Sequence, residues 1–291
     1  MPPSRPESPA GATNYVILIL DSCRWDSFVA AKPKRIPKLG PVQKRYSYAT
    51  WTSPSHYNLL MGLLPHSSPR HIYASEYYKS DFLRFKERLG AQTLSFSQLL
   101  PSLWLPTLLQ EQLGYRTNLY ASMPVLNPAT PLNRSFDRFE LMEQHNDAAQ
   151  IYRRMRFYDD RPSFFMLNTG ETHYPYATPD EPEAEWPRLS GVNGVLKRLD
   201  EHLRGGNLVH LREAPGFFDA ARMAELRERQ IRAVQWVDRG IEELFDLLPA
   251  NTYVTVTADH GEMFGESGYF GHGPIQHRKC TEVPFVEGRL R

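Results

Sequence analysis

The stretch NYVILILD, residues 14–21, decides the architecture: apolar residues run unbroken from Tyr15 to Leu20 and straight into Asp21. A strand with one wet face alternates apolar and polar residues, whereas a short continuous run suits a strand covered on both faces, as in a parallel sheet. The same design recurs twice. SFFML at 163–167 leads through NTG to Glu171, Thr172 and His173, and TYVTVTA at 252–258 leads to Asp259 and His260.

Helical patterns lie between these runs. From Leu226 the apolar positions Val234, Val237, Ile241, Leu244 and Leu248 repeat at three and four, which predicts one buried helix face ending before Pro249. LPTLLQEQLGYRTNLYAS at 105–122 reads as a helix stopped by Gly114 and followed by a strand. Strands alternating with helices predict an α/β fold with a mainly parallel sheet. In such sheets ligands sit beyond the carboxyl ends of the strands. Three strands here deliver acids and histidines to that edge.

Composition bounds the function. With 291 residues, 41% of them hydrophobic, the chain can bury a sizeable core. Its 34 basic and 33 acidic residues leave a net charge of +1, so no global field draws it to nucleic acid or an anionic membrane. Cys23 and Cys280 are far apart and form no metal-binding cluster; they suit a reduced compartment. No run approaches the roughly 18–20 apolar residues of a membrane span. The Pro- and Ser-rich stretch 1–13 is expected to be a flexible leader without the apolar segment of a signal peptide, followed by one catalytic domain over 14–291. A cytoplasmic location is the corresponding expectation.

Asp259 and His260 side by side, with Asp21 at the same sheet edge, offer the oxygen and nitrogen ligands that Zn²⁺ or Mn²⁺ accepts. ATWTSPSHYNLLMG at 49–62 reads as a loop opening a helix, with Ser55 as its cap. Thr52 then stands at the positive end of a helix, where a phosphate binds well. A threonine hydroxyl is a poor nucleophile until metal coordination activates it.

Six segments resemble, in order, the sulfatase-like branch of the alkaline phosphatase superfamily: NYVILILDSCRWDSF, WTSPSHYNLLMG, ETHYPY, AVQWVDRGIEELFDLL, VTADHGEMFGESGYFGHG and EVPF. The resemblance implies an α/β/α sandwich and a metal-dependent hydrolase or transferase acting on phosphate or sulfate esters. It implies that Asp21, Asp259 and His260 are metal ligands and that Thr52 is both a ligand and the nucleophile. His173 and His272 fall where the phosphoethanolamine and glycerol-phosphate transferases of the superfamily keep histidines for substrate or for a second, weaker ion.

The departures from the family pattern are specific. Sulfatases carry Cys or Ser in a C-x-P-x-R pattern whose first residue becomes formylglycine; here the stretch is Thr52, Ser53, Pro54, Ser55, His56. Phosphoryl chemistry with a threonine nucleophile is therefore expected ahead of sulfate ester hydrolysis, the alternative being a sulfuric ester hydrolase working without formylglycine. Ser22 stands where many sulfatases have a second acid, which favours one tightly held ion, Zn²⁺ or Mn²⁺ ahead of Ca²⁺ or Mg²⁺. Relatives usually continue beyond the position of VPFVEGRLR, so the pocket is expected to be open or completed by another copy in a homo-oligomer. A member that kept only the fold, as a binding or assembly module, would be expected to lack ligands, and all four are present. The substrate is expected to be a small phosphate or sulfate ester, selected by the loops 67–104 and 177–220. RRMRFYDDR at 153–161 reads as a solvated helix face and turn, and PDEPEAEWP at 179–187 as a surface loop.

Overall fold

A computed structural model describes residues 6–67, 74–95, 104–188 and 219–290. In chain order its main elements are β1 (Asn14–Leu20), α1 (Trp25–Ala31), β2 (Gln43–Tyr46), α2 (Thr52–Leu60), α3 (Ala74–Leu83), α4 (Phe85–Arg88), α5 (Leu105–Leu113), β3 (Arg116–Ala121) and β4 (Arg138–Leu141). There follow α6 (Ala148–Arg154), β5 (Ser163–Thr169), α7 (Ala220–Leu247), β6 (Thr252–Thr257), β7 (Met263–Phe264), β8 (Phe270–Gly271), α8 (Arg278–Thr281) and β9 (Glu282–Arg289).

Seven strands form one sheet in the order β2-β9-β6-β1-β5-β3-β4. The five from β6 to β4 are mutually parallel, and β9 pairs antiparallel with both β6 and β2. The mainly parallel α/β sheet expected from the apolar runs is therefore present. β1 lies at the centre, and its residues point alternately into two cores. Val16, Leu18 and Leu20 pack with Val234, Val237, Ile241 and Leu244 of α7 on one face. Tyr15, Ile17 and Ile19 pack with Leu59 and Leu60 of α2 and Leu109 and Leu113 of α5 on the other. Helices thus cover both faces, which is why the strand needs no polar side.

Gly114 ends α5 in the left-handed conformation, φ 68°, as its placement after the apolar stripe predicts. α7 begins earlier than its regular stripe, at Ala220, with the Asp219 side chain accepting from the Ala221 amide. Its first turns are held by Met223 and Leu226, which pack on Phe264, Phe270 and Tyr176. Packing also begins before Asn14: Thr13 is buried, its hydroxyl donates to the Arg88 carbonyl at 2.8 Å, and a Cβ on Gly114 would strike the Pro6 carbonyl. Among the described residues no helix is long and apolar enough to cross a membrane. Of the two loops expected to select the substrate, 68–73, 96–103 and 189–218 lie outside the described residues.

Candidate active site

The strand register brings the acids together. Ile19 pairs with Thr257, so Asp21 and Asp259 each stand two residues beyond a matched pair on adjacent parallel strands. Leu20 pairs with Thr169 on the other side, and the Asp21 amide donates to the Thr169 carbonyl at 3.0 Å. Asp21, Asp259 and His260 are all buried, and one ligand atom from each lies within 4.8 Å of the others.

Each ligand is oriented by a second contact. Asn168 Nδ2 donates to Asp21 Oδ2 at 2.8 Å, and the Ser22 hydroxyl donates to Oδ1 at 3.1 Å. The position where a second acid was absent in sequence thus supplies a hydrogen bond. Asp259 Oδ1 accepts from the backbone amides of Ser22 and His260, at 3.1 and 2.9 Å, while Oδ2 has no hydrogen-bond partner although buried. His260 Nδ1 lies 2.8 Å from the Gly261 carbonyl, an acceptor only. Nδ1 must therefore carry the proton, which leaves the Nε2 lone pair facing the carboxylates. Nε2 is 3.3 Å from Asp259 Oδ2 and 3.9 Å from Asp21 Oδ1.

Thr52 reaches the same point from the other side of the sheet edge. It is the first residue of α2, and its Oγ1 lies 3.2 Å from His260 Nε2. The cap assigned to Ser55 is corrected: the helix starts three residues earlier, after Trp51 in extended conformation, and the Ser55 amide already donates within the first turn to the Trp51 carbonyl. The Pro-Ser pair sits inside the first turn because Pro at that position forfeits no helical hydrogen bond. One turn on, His56 Nδ1 donates to the Thr52 carbonyl at 2.9 Å and its Nε2 faces Asn168 Nδ2 at 3.4 Å. Burial pushes the His56 imidazole below its ordinary pKa. A buried neutral histidine thus stands where the sulfatase pattern has its arginine.

The charges are unequally shared. Burial alone would raise Asp21, but His173 nearby and the hydrogen bond from Asn168 hold its carboxyl below the usual range. Burial and then the neighbouring Asp21 charge push Asp259 well above it. Burial pushes His260 well below the ordinary imidazole value. Two acids this close, one orphaned oxygen, and an imidazole fixed with its lone pair inward are what a divalent cation requires of its surroundings. On the chemistry of the donor set, the residues fit the ion.

His272 and His173 flank this cluster. The His272 ring centroid lies 4.3 Å from that of His260 and 5.2 Å from that of His173. His272 Nδ1 meets Glu262 Oε1 at 2.8 Å, and the Tyr176 hydroxyl donates to Oε2 of the same carboxylate at 3.0 Å. Burial works against a charged His272, but Glu262 holds its pKa above the ordinary value. His173 donates from Nδ1 to the Tyr174 carbonyl at 2.8 Å. All six residues singled out in sequence therefore meet. Asn168, His56, Glu262 and Tyr176 were not singled out; Glu262 is within reach of sequence reasoning, as the acid two residues after Asp-His.

The sulfatase family model matches residues 13–286. No curated protein matches the chain in sequence. Among solved structures the chain is similar to BT1596, a 2-O GAG sulfatase, with 12% identity over 96% of this chain and 65% of that one and a TM-score of 0.55. It is similar to the phosphonate monoester hydrolase of Agrobacterium radiobacter, with 14% identity over 96% and 68% and a TM-score of 0.54. It is also similar to the C-terminal periplasmic domain of EcEptC from Escherichia coli, with 16% identity over 96% and 73% and a TM-score of 0.51. At these identities the likeness is one of fold.

Proposed function

The chain belongs to the sulfatase family, and from that premise we propose that it is a metal-dependent phosphoester hydrolase or phosphotransferase using Thr52 as nucleophile. The observation that carries the reading is the 3.2 Å contact between Thr52 Oγ1 and His260 Nε2, inside a cluster completed by Asp21 and Asp259. These four side chains would hold one ion, Zn²⁺ or Mn²⁺ being the best match to a nitrogen ligand among carboxylates. When bound, such an ion supplies Lewis-acid polarisation of the phosphoryl group and lowers the pKa of a coordinated hydroxyl.

The chain's own residues supply the rest. α2 presents Thr52 at its amino end, where backbone amides favour the phosphoryl charge. Thr52 Oγ1, having released its proton to solvent, would form the bond to phosphorus as the bond to the leaving oxygen breaks. His272, oriented by the hydrogen bond from its Nδ1 to Glu262, stands to give that oxygen its proton, with His173 beside it. A second acceptor, water or an alcohol, then removes the phosphoryl group from Thr52 and decides between hydrolysis and transfer.

Elemental analysis of the purified protein, paired with a panel of phosphate monoesters, phosphate diesters and sulfate esters, tests the proposal. About one equivalent of transition metal with turnover confined to phosphorus esters is the expected result. Faster turnover of sulfate esters would replace it with sulfuric ester hydrolysis without formylglycine, and no turnover by a metal-loaded protein would leave a binding module.

A further inference from the structure

Away from the metal cluster, a cavity of about 310 Å³ opens between α6 and α7. None of its lining residues is one of the four proposed ligands or the two flanking histidines. Two of them carry buried polar atoms without a hydrogen-bond partner. Glu171 is fully buried; its Oε1 accepts from the Ala148 amide at 2.6 Å, and its Oε2 has no partner. Tyr152 is 1% exposed, and its hydroxyl has no partner either. Orphaned polar atoms at this depth cost stability unless something bonds them. That two of them line one cavity points to a ligand.

The lining fixes the ligand's chemistry. Glu171, whose burial pushes its pKa up to about 7, Asp147, which also faces Arg153 at 3.5 Å, and Glu243 contribute three acidic groups, against the single lining cation Arg239, whose guanidinium already lies 5.5 Å above the Trp236 ring. An anion is therefore disfavoured. A bare divalent ion is disfavoured too, because among the described residues only Asp21, Asp259 and His260 gather three ligand atoms. What remains is a cation that brings several N–H donors and some apolar surface, for which Trp236, Val237 and Pro179 provide a wall. We propose that this cavity is a binding site for a small primary ammonium compound, whose N–H groups bond Glu171 Oε2 and the Tyr152 oxygen and whose alkyl part lies against Trp236.

The site is chemically separate from the metal cluster but joined to it through the backbone. Thr172, next to Glu171, donates its hydroxyl to the Asp21 carbonyl at 2.7 Å, and Gln230 Nε2 donates to the carbonyls of Thr172 and Ser22 at 3.0 and 2.9 Å.

The test is a tryptophan-fluorescence titration of the metal-loaded protein with n-propylammonium chloride, with tetramethylammonium chloride, which has no N–H donor, as comparison. Saturation by n-propylammonium with a Kd in the millimolar range is expected, as is loss of the signal in Trp236→Phe. Glu171→Gln keeps an oxygen for the Ala148 amide while removing the charge, and should weaken binding about tenfold. Tyr152→Phe removes only the oxygen, should weaken it about threefold, and decides the matter should Glu171→Gln fail to fold. Asp259→Ala should bind n-propylammonium as the wild type does. Absence of saturation, equal affinity for tetramethylammonium, unchanged affinity in both cavity variants, or loss of binding in Asp259→Ala would each overturn the proposal.

Discussion

Thr52 Oγ1 and His260 Nε2 face each other at 3.2 Å because each is fixed from behind, the threonine by the first turn of α2 and the imidazole by the Gly261 carbonyl. An oxygen and a ring lone pair held this way converge on one point with little freedom to lose on binding an ion.

Thr52→Ala should therefore lower turnover at least about a thousandfold, the scale of removing a catalytic nucleophile. Stability of the metal-free protein should fall by about 1–2 kcal/mol, since one buried hydroxyl and one buried methyl are lost. Thr52→Ser keeps the oxygen and should retain part of the activity. Intact mass after rapid quenching should show a phosphoryl adduct on the 46–70 segment of the wild type and none on the alanine variant. Normal turnover by Thr52→Ala would shift attention to Ser53 or Ser55.

Asp259 carries the buried oxygen without a hydrogen bond. Asp259→Ala should reduce metal content from about one equivalent to near zero, as loss of a ligand from a small donor set predicts. Chelation should lower the melting temperature of the wild type, consistent with about 2.7 kcal/mol lost on removing an ion held at a hundred times its Kd, and leave that of the variant unchanged. Full metal occupancy in the variant would refute the ligand assignment.

Glu262 bonds His272 Nδ1 and accepts from the Tyr176 hydroxyl. Glu262→Gln should depress kcat by about 10–100-fold, the usual cost of losing an orienting partner, while metal content stays at the wild-type level. Tyr176→Phe should have the smaller effect. A Glu262→Gln enzyme with unchanged kcat would make the contact purely structural.

Arg88 and Glu287 form a buried pair, Nε to Oε2 at 3.0 Å, with Arg84 also bound to the carboxylate. Burial would raise the Glu287 carboxyl, but Arg88 holds it below its ordinary value. A depressed folded pKa contributes stability that is present above the unfolded value of about 4.3 and lost as pH falls through the folded value. Glu287→Gln should cost about 3 kcal/mol at pH 7, because Arg88 stays buried with only the more distant Asp81, at 3.8 Å, as counter-charge. In urea melts the gap to wild type should narrow below about pH 4. A gap that stays constant with pH would exclude the pair as its source.

The parts of the site that sequence disclosed are those encoded locally. A continuous apolar run that stops at Asp21 or Asp259 states where a buried strand ends, and parallel pairing then makes those ends neighbours. His56 and Asn168 could not be read this way. Each looks like an ordinary polar residue in its own segment, and their contact, across 112 positions, exists only once β5 lies beside β1 and α2 crosses above. The Ser55 cap failed for the opposite reason: Ser-x-x preceding apolar residues is a sound local signal, but Pro54 is equally at home inside a first turn, and the helix began at Thr52. β2, with the sequence QKRY, was invisible because an edge strand needs little hydrophobicity and benefits from charge.

β6 and β9 are hydrogen-bonded neighbours, with Thr257 opposite Phe285, so the segment between them leaves the sheet and returns to the same place. A further tie, the Gly261 amide to the Cys280 carbonyl at 2.7 Å, closes it again just beyond His260. In the language of construction, this is a detachable panel hung on a fixed frame. Asp259 and His260 belong to the frame, whereas the stretch beyond the tie, carrying Glu262 and His272, can be exchanged for one of another length. Doubling its length would cost only about 0.6 kcal/mol in closure entropy. Any such replacement must keep the Gly273 amide bonded to the Thr50 carbonyl and Phe264 and Phe270 packed on Met223, because these contacts tie the segment to the turn before Thr52 and to the start of α7.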